Sequence, residues 1–523
     1  MVQFDTSPTS AGTVSTRAIR QSADLPAQIA RMRSEVGTSE ERLTASFIVA
    51  EEMNDRFGAI LERFDDSAIE ASRNAEIRSG RIAGLPLGIK ANIAVEEAVP
   101  TSQSRVFDPD FHRGRDAEVV ARLREAGGVI ACTTTMVEHA AGRPDPALGF
   151  PIPRNPWDPT RWPGGSSCGT AIAISLGLIS AGLGTDTSGS CRIPAAYCGV
   201  TGLRPTAGAL PMEGIMPAAP SLDVVGPMAR SAETCRLLLE VMHGEPEGSS
   251  RRELPTRVLV PRQVIDSPRI STEVATAFDD TMQTLGTLGL DVGSTDLPYL
   301  DDLITATLTI MLREMYDVHR ERLVSRWNDY GRSFRRLALA GALVSDAAYA
   351  NALRLAAELR GRIEDSIDEG AVLALPTWPS SAPPYVFRGG TPQDEWNLTA
   401  AFCATGNPAL AVPMRFDSMG LPLSLQLVGS SSRAAVPGVS SLEGEDLILS
   451  VGELFQSHSD HHLRLPNPDL DGSLPLIPDP DESVDENTST PQLPPQLTGL
   501  GIPLTRADAV MLGHLVEMFF TTP

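Results

Sequence analysis

Residues 162–203 read WPGGSSCGTAIAISLGLISAGLGTDTSGSCRIPAAYCGVTGL, and only Asp186 and Arg192 among these 42 residues carry a charge. Charged side chains are rarely buried, so a long stretch with so few of them belongs in a protein interior. A membrane span is disfavoured because the apolar part, residues 171–183, contains Gly and Ser and falls short of the ~20 residues needed to cross a bilayer. The stretch therefore predicts buried core structure.

This stretch and the segment before it alternate between helix and strand patterns. We expect a buried helix over Thr170–Ser180 and a buried strand near Leu183. Residues 117–134 show a helical spacing of apolar residues that ends at Gly127 and Gly128 and is followed by a short apolar run, which predicts a helix and then a strand. Such alternation is typical of an α/β fold.

The flanking regions predict further helices and strands. Residues 25–64 have apolar positions at spacings of three and four, which predicts an N-terminal helical segment within residues 1–65. Residues 270–370 show amphipathic helical patterns. The later segments VLALPT, PALAVPM and LSLQLVG are expected to be strands.

The chain changes character after Leu465. Residues 466–497 hold eight prolines, seven acidic residues and no Lys or Arg, which predicts a solvated linker over 467–497. The last segment, 498–523, contains a predicted short helix over Thr505–Phe520. The apolar face of that helix has three open fates: docking on this chain, docking on a second subunit, or fraying as a tail.

The overall composition limits the classes of partner. There are 66 acidic and 43 basic residues, a formal charge of −23, which disfavours nucleic-acid and anionic-membrane binding. The first fourteen residues lack the basic start and apolar run of a secretory signal, so we expect a cytoplasmic protein. The six cysteines are sparse and form no CxxC pair, so we expect reduced thiols, no structural metal and no cofactor. A homodimer remains open.

Lysine is almost excluded from this chain, which has 42 arginines and one lysine, Lys90. Arginine serves for salt bridges and surface charge, but it does not give up its proton in proteins, whereas a buried lysine becomes neutral near pH 7. The single lysine therefore indicates chemistry that needs an amine. The alternative is that one lysine persists by chance in an arginine-biased sequence.

Two clusters of Ser and Gly lie in the uncharged stretch, at 164–170 and 184–192. They are typical of tight turns and helix caps, and they are also typical of catalytic loops. The first cluster matches GxSxG around Ser167, the nucleophile elbow of an α/β-hydrolase, but that elbow needs a preceding strand. The preceding segment, NPWDPTRWP, is too rich in proline for a central strand, so this interpretation is disfavoured.

Several motifs resemble the amidase signature family. They are PLGIKANI around Lys90, the segment from Pro163 to Thr206, SLDVVGPMARS at 221–231, and the later GNPALAVP and LPLSLQLVG. The resemblance covers roughly residues 40–466. It implies an α/β fold in which a single large domain, residues 66–466, has a central mixed β-sheet covered by helices.

The resemblance also implies a set of catalytic residues. Ser190 would be the nucleophile, Ser166 a bridging serine across a cis peptide, and Lys90 the general base, because a desolvated lysine can activate a serine hydroxyl. The backbone N–H groups of Thr187, Ser188, Gly189 and Ser190 would form the oxyanion hole. Ser167, Asp186 and Arg192 would support the turn, with the aspartate and arginine paired because both are buried.

Four positions depart from the commoner family pattern: Ala91, Cys168, Ser188 and Cys191. None removes a catalytic group. Ser188 would restrict the oxyanion turn if its position required a positive φ. Cys168 and Cys191 are expected to fill space rather than to react.

The expected activity is hydrolysis of a small-molecule carboxylic amide, with aryl amides, esters and carbamates also open. We expect an acyl pocket near Met136, Met212, Tyr316 and Trp396, whose apolar character favours a neutral acyl group. The main alternative is the glutaminase subunit of a tRNA-dependent amidotransferase. Arg336 matches a carboxylate-binding arginine of that subunit, but Trp396 stands where it has an aspartate that holds the glutamine amino group. A non-catalytic binding protein is the third class.

Overall fold

The structure, a computed structural model, describes residues 38–74, 77, 79–246, 253–367, 370–385, 396–431, 442–467, 481 and 489–520. The predicted helix before residue 38 and most of the predicted linker at 467–497 lie outside the described residues. Across these described ranges, no helix is both long enough and apolar enough to cross a membrane.

One mixed sheet of 11 strands, in the order β1-β3-β2-β4-β6-β5-β10-β11-β9-β7-β8, forms the centre of a single large α/β domain. The strands are β1 (Ile60–Arg63), β2 (Pro86–Lys90), β3 (Val129–Thr134), β4 (Ala181–Asp186), β5 (Thr201–Arg204), β6 (Val224–Ala229), β7 (Arg257–Pro261), β8 (Asp291–Thr295), β9 (Ala371–Pro376), β10 (Ala409–Phe416) and β11 (Pro422–Val428). The β2–β3, β2–β4, β7–β8 and β7–β9 pairs are parallel and the others are antiparallel.

Helices pack against this sheet and, over residues 300–366, also against one another. They are α1 (Thr38–Phe57), α2 (Asp65–Arg73), α3 (Glu118–Glu125), α4 (Cys168–Ser175), α5 (Arg192–Cys198), α6 (Ala232–His243), α7 (Arg262–Ile265), α8 (Thr272–Thr287), α9 (Leu300–Ser325), α10 (Arg332–Ala340), α11 (Asp346–Ser366), α12 (Glu443–Ser457), α13 (Pro495–Thr498) and α14 (Arg506–Phe520). The helices at 270–370 and the returning strands β9, β10 and β11 confirm the sequence patterns.

Two predicted helices end earlier than the sequence analysis expected. Residues 60–63 form strand β1, which pairs with β3, because the helix before it stops at Phe57 and Gly58 takes a positive φ of 56°. The predicted helix Thr170–Ser180 instead starts at Cys168 and ends at Ser175, since Gly177 takes φ 73° just beyond the last turn. Glycine at such a position is a common helix terminator.

The topology places three functional segments at one edge of the sheet. Strands β2, β3 and β4 are parallel neighbours, so their carboxyl ends meet there. β2 ends at Lys90 and β4 ends at Asp186, while α4 follows the first Ser and Gly cluster and packs against both strands. The single lysine and both Ser and Gly clusters are therefore brought together.

Helix α14 docks on this chain rather than standing free. Leu512 and Leu515 join the buried apolar cluster formed by α9, α10 and α11. At its start, Thr505 and Asp508 form a reciprocal cap, with the Asp508 N–H donating to Thr505 Oγ1 at 3.1 Å and the Thr505 N–H donating to Asp508 Oδ2 at 3.0 Å. The structure thus has a helix where one was predicted, and the leucine side of that helix packs against α10.

Candidate active site

Lys90 is fully buried at the end of β2. Its Nζ donates to Ser166 Oγ at 2.7 Å and to Thr185 Oγ1 at 2.7 Å. Burial lowers the pKa of Lys90 to about 8, against the opposing charges of nearby acidic groups. An amine in this environment is neutral over an accessible pH range and can accept a proton from the hydroxyl that it touches.

Ser166 is held between β3 and the Ser190 segment. A cis peptide bond joins Gly165 to Ser166, and the N–H of Val137, just after β3, donates to Ser166 C=O at 3.2 Å. The next residue, Ser167, donates its N–H to Ser190 C=O at 3.1 Å and its hydroxyl to Thr185 C=O at 3.2 Å. The two serine clusters are thus joined directly by hydrogen bonds.

The turn at residues 186–190, called here the Ser190 turn, carries its positive φ on Gly189 (127°) and not on Ser188. The serine at 188 therefore does not strain the turn. A side chain at 189 is also excluded by packing, because a Cβ there would lie 1.9 Å from Thr399 Oγ1. Thr399 in turn donates to Ser188 C=O at 2.8 Å and fixes the turn from outside.

One of the four predicted oxyanion donors is already used. The Gly189 N–H donates to Asp186 Oδ1 at 2.9 Å, so the prediction for this residue is corrected. The glycine serves the geometry of the turn, and its N–H closes the turn on the aspartate. For the N–H groups of Thr187, Ser188 and Ser190 the oxyanion role stays a prediction.

Asp186 is paired with Arg192, as its burial in the uncharged stretch predicted, and also with Arg204, which the sequence analysis did not single out. Arg192 Nη2 lies 2.9 Å and Arg204 Nη1 3.2 Å from Asp186 Oδ1, and all three side chains have no exposure. Although burial alone would raise it, the two arginines hold the pKa of Asp186 well below its usual range. The carboxylate stays charged and anchors the Ser190 turn.

Sequence analysis missed two further contacts, one to this turn and one to Thr185 just before it. Thr187 Oγ1 donates to Asp223 Oδ1 at 2.6 Å, and Asn92 Nδ2 donates to Thr185 Oγ1 at 3.2 Å. Both Asn92 and Asp223 lie inside the motifs PLGIKANI and SLDVVGPMARS. The available signal was a polar residue within an otherwise apolar motif, but a single sequence does not say which turn such a residue contacts.

The four predicted pocket residues do not share one apolar cluster. Met136 is fully buried, and its N–H binds the Gln103 side chain. Met212 packs against the large cluster around the sheet, whereas Tyr316 packs against the cluster of α9, α10 and α11. Of the four, Met136 is nearest to the site in sequence, because the next residue, Val137, donates its N–H to Ser166 C=O.

Trp396 is half-buried and packs against the large cluster around the sheet, as Met212 does, and its place in the pocket stays a prediction. Its indole N–H donates to Asp301 Oδ1 at 2.6 Å, and the guanidinium of Arg269 lies 3.8 Å from a ring centroid. Both partners are more than half exposed, so the indole N–H and one edge of the tryptophan face the surface side of this cluster. This segment approaches the Ser190 turn through Thr399 instead.

Arg336 is engaged by the C-terminal region. Its Nε donates to Asp508 Oδ1 at 2.8 Å and its Nη2 to Asp481 Oδ1 at 2.6 Å.

Cys168 and Cys191, which lie close to Ser166 and Ser190 in sequence, are buried, and burial raises the pKa of each thiol to about 12. Neither thiol ionises at neutral pH, in agreement with a space-filling role.

Comparison with known proteins shows which family this chain is similar to. The family model described as Amidase matches residues 42–434. A glutamyl-tRNA(Gln) amidotransferase subunit from Picosynechococcus sp. is 30% identical over 492 residues, which cover 84% of this chain and 97% of that protein.

Solved structures have the same fold. A crystal structure of an amidase superposes with a TM-score of 0.74 at 28% identity, covering 83% of this chain and 99% of that one. A 6-aminohexanoate cyclic dimer hydrolase superposes with a TM-score of 0.73 at 23% identity, covering 86% of this chain and 99% of that one. The second likeness bears on the fold alone.

Proposed function

The chain belongs to the amidase family, whose members act on carbon–nitrogen bonds, and from that premise we propose that it hydrolyses a carboxylic amide to an acid and ammonia or an amine. The reaction passes through an acyl-enzyme on Ser190, with Lys90 as the general base acting through Ser166. The observation that carries this proposal is the fully buried Lys90 Nζ, 2.7 Å from Ser166 Oγ, in a chain with no other lysine.

The proton path follows from these contacts. Neutral Lys90 accepts the proton of Ser166, which accepts the proton of Ser190 as the Ser190 oxygen attacks the amide carbonyl. The proton then returns through Ser166 to the departing nitrogen, so the C–N bond breaks as the amine leaves. Water repeats the sequence on the ester and releases the acid with Ser190 restored.

Charge on the carbonyl oxygen is met by backbone donors. The N–H groups of Thr187, Ser188 and Ser190 are the proposed oxyanion donors, each worth about 3 kcal/mol in such sites. Donors are effective when they are rigid before the reaction. Asp186 supports that requirement, because it accepts the Gly189 and Cys191 N–H groups at 2.9 and 3.2 Å.

The glutaminase half of a tRNA-dependent amidotransferase is the second candidate, and the similarity to the Picosynechococcus protein favours it. Free glutamine carries a carboxylate and an ammonium, which need opposite charges in a binding site. Arg336 is held by Asp508 and Asp481, and Trp396 has no group to neutralise an ammonium. We therefore favour a stand-alone hydrolase acting on a substrate with a neutral acyl group.

The first test is product release from a panel of acetamide, butyramide, benzamide, 4-nitroacetanilide, a phenyl carbamate and glutamine. Lys90→Arg keeps the charge but cannot be deprotonated, so we expect kcat/KM to fall by about 10²–10⁴-fold. Lys90→Met and Ser190→Ala should fall comparably. Ser175→Ala is the matched control, because Ser175 is buried in α4 and donates to Cys198 C=O at 2.8 Å, away from the proton path.

The pH profile of the wild type tests the same base. Only the neutral form of Lys90 accepts a proton, so with a pKa of about 8 the rate should rise with pH and level off above that value. Below pH 8 the fall should be about tenfold per unit. Full activity in Lys90→Arg contradicts the mechanism. Release from glutamine alone, or only after a partner protein is added, favours the second candidate.

A further inference from the structure

The residue that the proposed mechanism leaves unused is Asp223, at the end of the 218–223 loop. Its Oδ1 accepts the Thr187 hydroxyl at 2.6 Å, and its Oδ2 accepts the N–H groups of Ala218 and Ala219 at 2.8 and 3.1 Å. The carboxylate thus joins the loop to the Ser190 turn. It thereby holds Thr187, whose backbone N–H is the first of the proposed oxyanion donors.

The loop is held from its other side by a second carboxylate. Glu314, on α9, accepts the Ser221 N–H at 2.9 Å and the Ser221 hydroxyl, and also the Tyr349 hydroxyl at 2.7 Å. Glu314 and Asp223 therefore share the task of fixing the loop. Of these two residues, Asp223 is the one that contacts the Ser190 turn.

Asp223 also differs from the other groups whose charge acts on Lys90, which are Cys191, Cys168 and Asp186. Burial raises the pKa of both thiols to about 12, so they are neutral at pH 8. Asp186 is paired with two arginines. Within the described ranges no arginine pairs with Asp223, so its charge near Lys90 is the one left uncompensated.

Asp223 is charged under the conditions in which the base works. It is only partly buried, although enough protein surrounds it for burial to raise its pKa to about 6, against the hydrogen bonds that it accepts. Above pH 8 the carboxylate is therefore ionised while Lys90 is neutral. Asp223 is joined to Lys90 through the Ser190 turn, since Thr187 follows Asp186 and Thr185, and Thr185 accepts from Lys90 Nζ at 2.7 Å. When Lys90 takes a proton, the negative charge of Asp223 favours the ammonium ion that forms.

We propose that Asp223 is a positioning residue for acyl transfer, which holds Thr187 in the Ser190 turn and whose negative charge favours the ammonium ion that forms on Lys90. This inference rests on the proposed function. The hydrogen bond and the charge can be tested separately, because Thr187 takes part in the hydrogen bond alone, whereas Asp223 also carries the charge.

The test compares Asp223→Asn with Glu314→Gln, which removes a loop carboxylate without touching the Ser190 turn. The probe is whichever amide of the panel the wild type hydrolyses fastest. In Asp223→Asn we expect kcat to fall about 10–100-fold, less than loss of an oxyanion donor, and the acid limb of the rate profile to move below its wild-type position near pH 8. Glu314→Gln should keep the wild-type acid limb.

A second pair of variants tests the hydrogen bond itself and remains informative if Asp223→Asn does not fold. Thr187→Val should lower kcat without moving the acid limb, whereas Thr187→Ser, which keeps the hydroxyl, should restore most of the rate. The double variant Thr187→Val with Asp223→Asn should lose less than the two single losses combined, because both remove one interaction.

The inference is overturned if Asp223→Asn leaves the acid limb in place, if Glu314→Gln moves it equally, or if Thr187→Val retains full kcat. These outcomes differ from failure of the proposed function. If the proposed function itself is wrong, either the wild type releases no product from the panel, or the Lys90→Arg variant releases product as fast as the wild type does.

Discussion

Two clusters of the same composition hold two different regions of this protein. In the first, Asp186 lies between Arg192 and Arg204 beneath the Ser190 turn. In the second, Asp508 lies between Arg335 and Arg336 where α14 meets α10. Both aspartates are fully buried, so both clusters require their arginines to remain charged away from water. The two clusters differ in the part of the protein that each one holds in place.

The Asp186 cluster is local and fully enclosed. Its three members lie within 19 residues of one another, and the aspartate also accepts the N–H groups of Gly189 and Cys191. The Asp508 cluster joins residues 172 positions apart and reaches the partly exposed Asp481. The family match ends at residue 434, so the first cluster belongs to the family domain and the second attaches a helix beyond it.

The largest expected effect comes from neutralising Asp186. Asp186→Asn leaves two arginines buried beside a neutral amide, and breaking such a buried pair costs about 3–5 kcal/mol. We expect a lower free energy of unfolding and a loss of kcat, because the Ser190 turn loses its anchor. Urea unfolding and amide hydrolysis measure the two effects.

Asp417→Asn is the matched control for this loss. Asp417 is also buried, but its carboxylate accepts the N–H groups of Met419 and Leu421 in the turn between β10 and β11. Asparagine keeps an oxygen that can accept both N–H groups, so the substitution should cost no more than the ~1 kcal/mol of losing such a cap. Equal effects of the two variants would contradict the special dependence of the Ser190 turn on its arginines.

Neutralising Asp508 should have a smaller and more local effect. Asp508→Asn keeps an oxygen that can accept the Thr505 N–H, but it leaves Arg335 and Arg336 without their shared carboxylate, a loss of about 1–3 kcal/mol. The cost cannot exceed the free energy that docks α14, because the helix can detach instead. We expect faster hydrogen exchange in α14 and on α10, with kcat near that of the wild type.

This prediction has its own control in Asp508→Glu, which keeps the charge and the acidic residue of the cap. It should retain more of the protection from exchange than Asp508→Asn. A loss of kcat in Asp508→Asn that matches that of Asp186→Asn would mean that the C-terminal helix supports the active site as directly as the buried cluster does.

The two clusters also show which contacts a sequence reveals. Asp186 and Arg192 are the two charges in an uncharged stretch, so burial alone pairs them, and the lone Lys90 identifies the base candidate. Arg204 lies one residue beyond that stretch and was missed. The pairing of Arg336 with Asp508 was also missed, because the two residues are distant in sequence and long-range pairs leave no periodic pattern.

The smallest expected effect belongs to Asp481, which borders the second cluster. Its carboxylate binds Arg336 and Arg332 at 2.6 and 3.2 Å, but its side chain is 33% exposed. Water and salt screen such pairs, so Asp481→Asn should cost about 0–1 kcal/mol. That cost should vanish in about 0.5 M salt, while the loss in Asp508→Asn should persist because its contacts are enclosed. Urea unfolding at low and high salt compares them, and equal salt sensitivity would mean that the interface of α14 is wetter than its burial indicates.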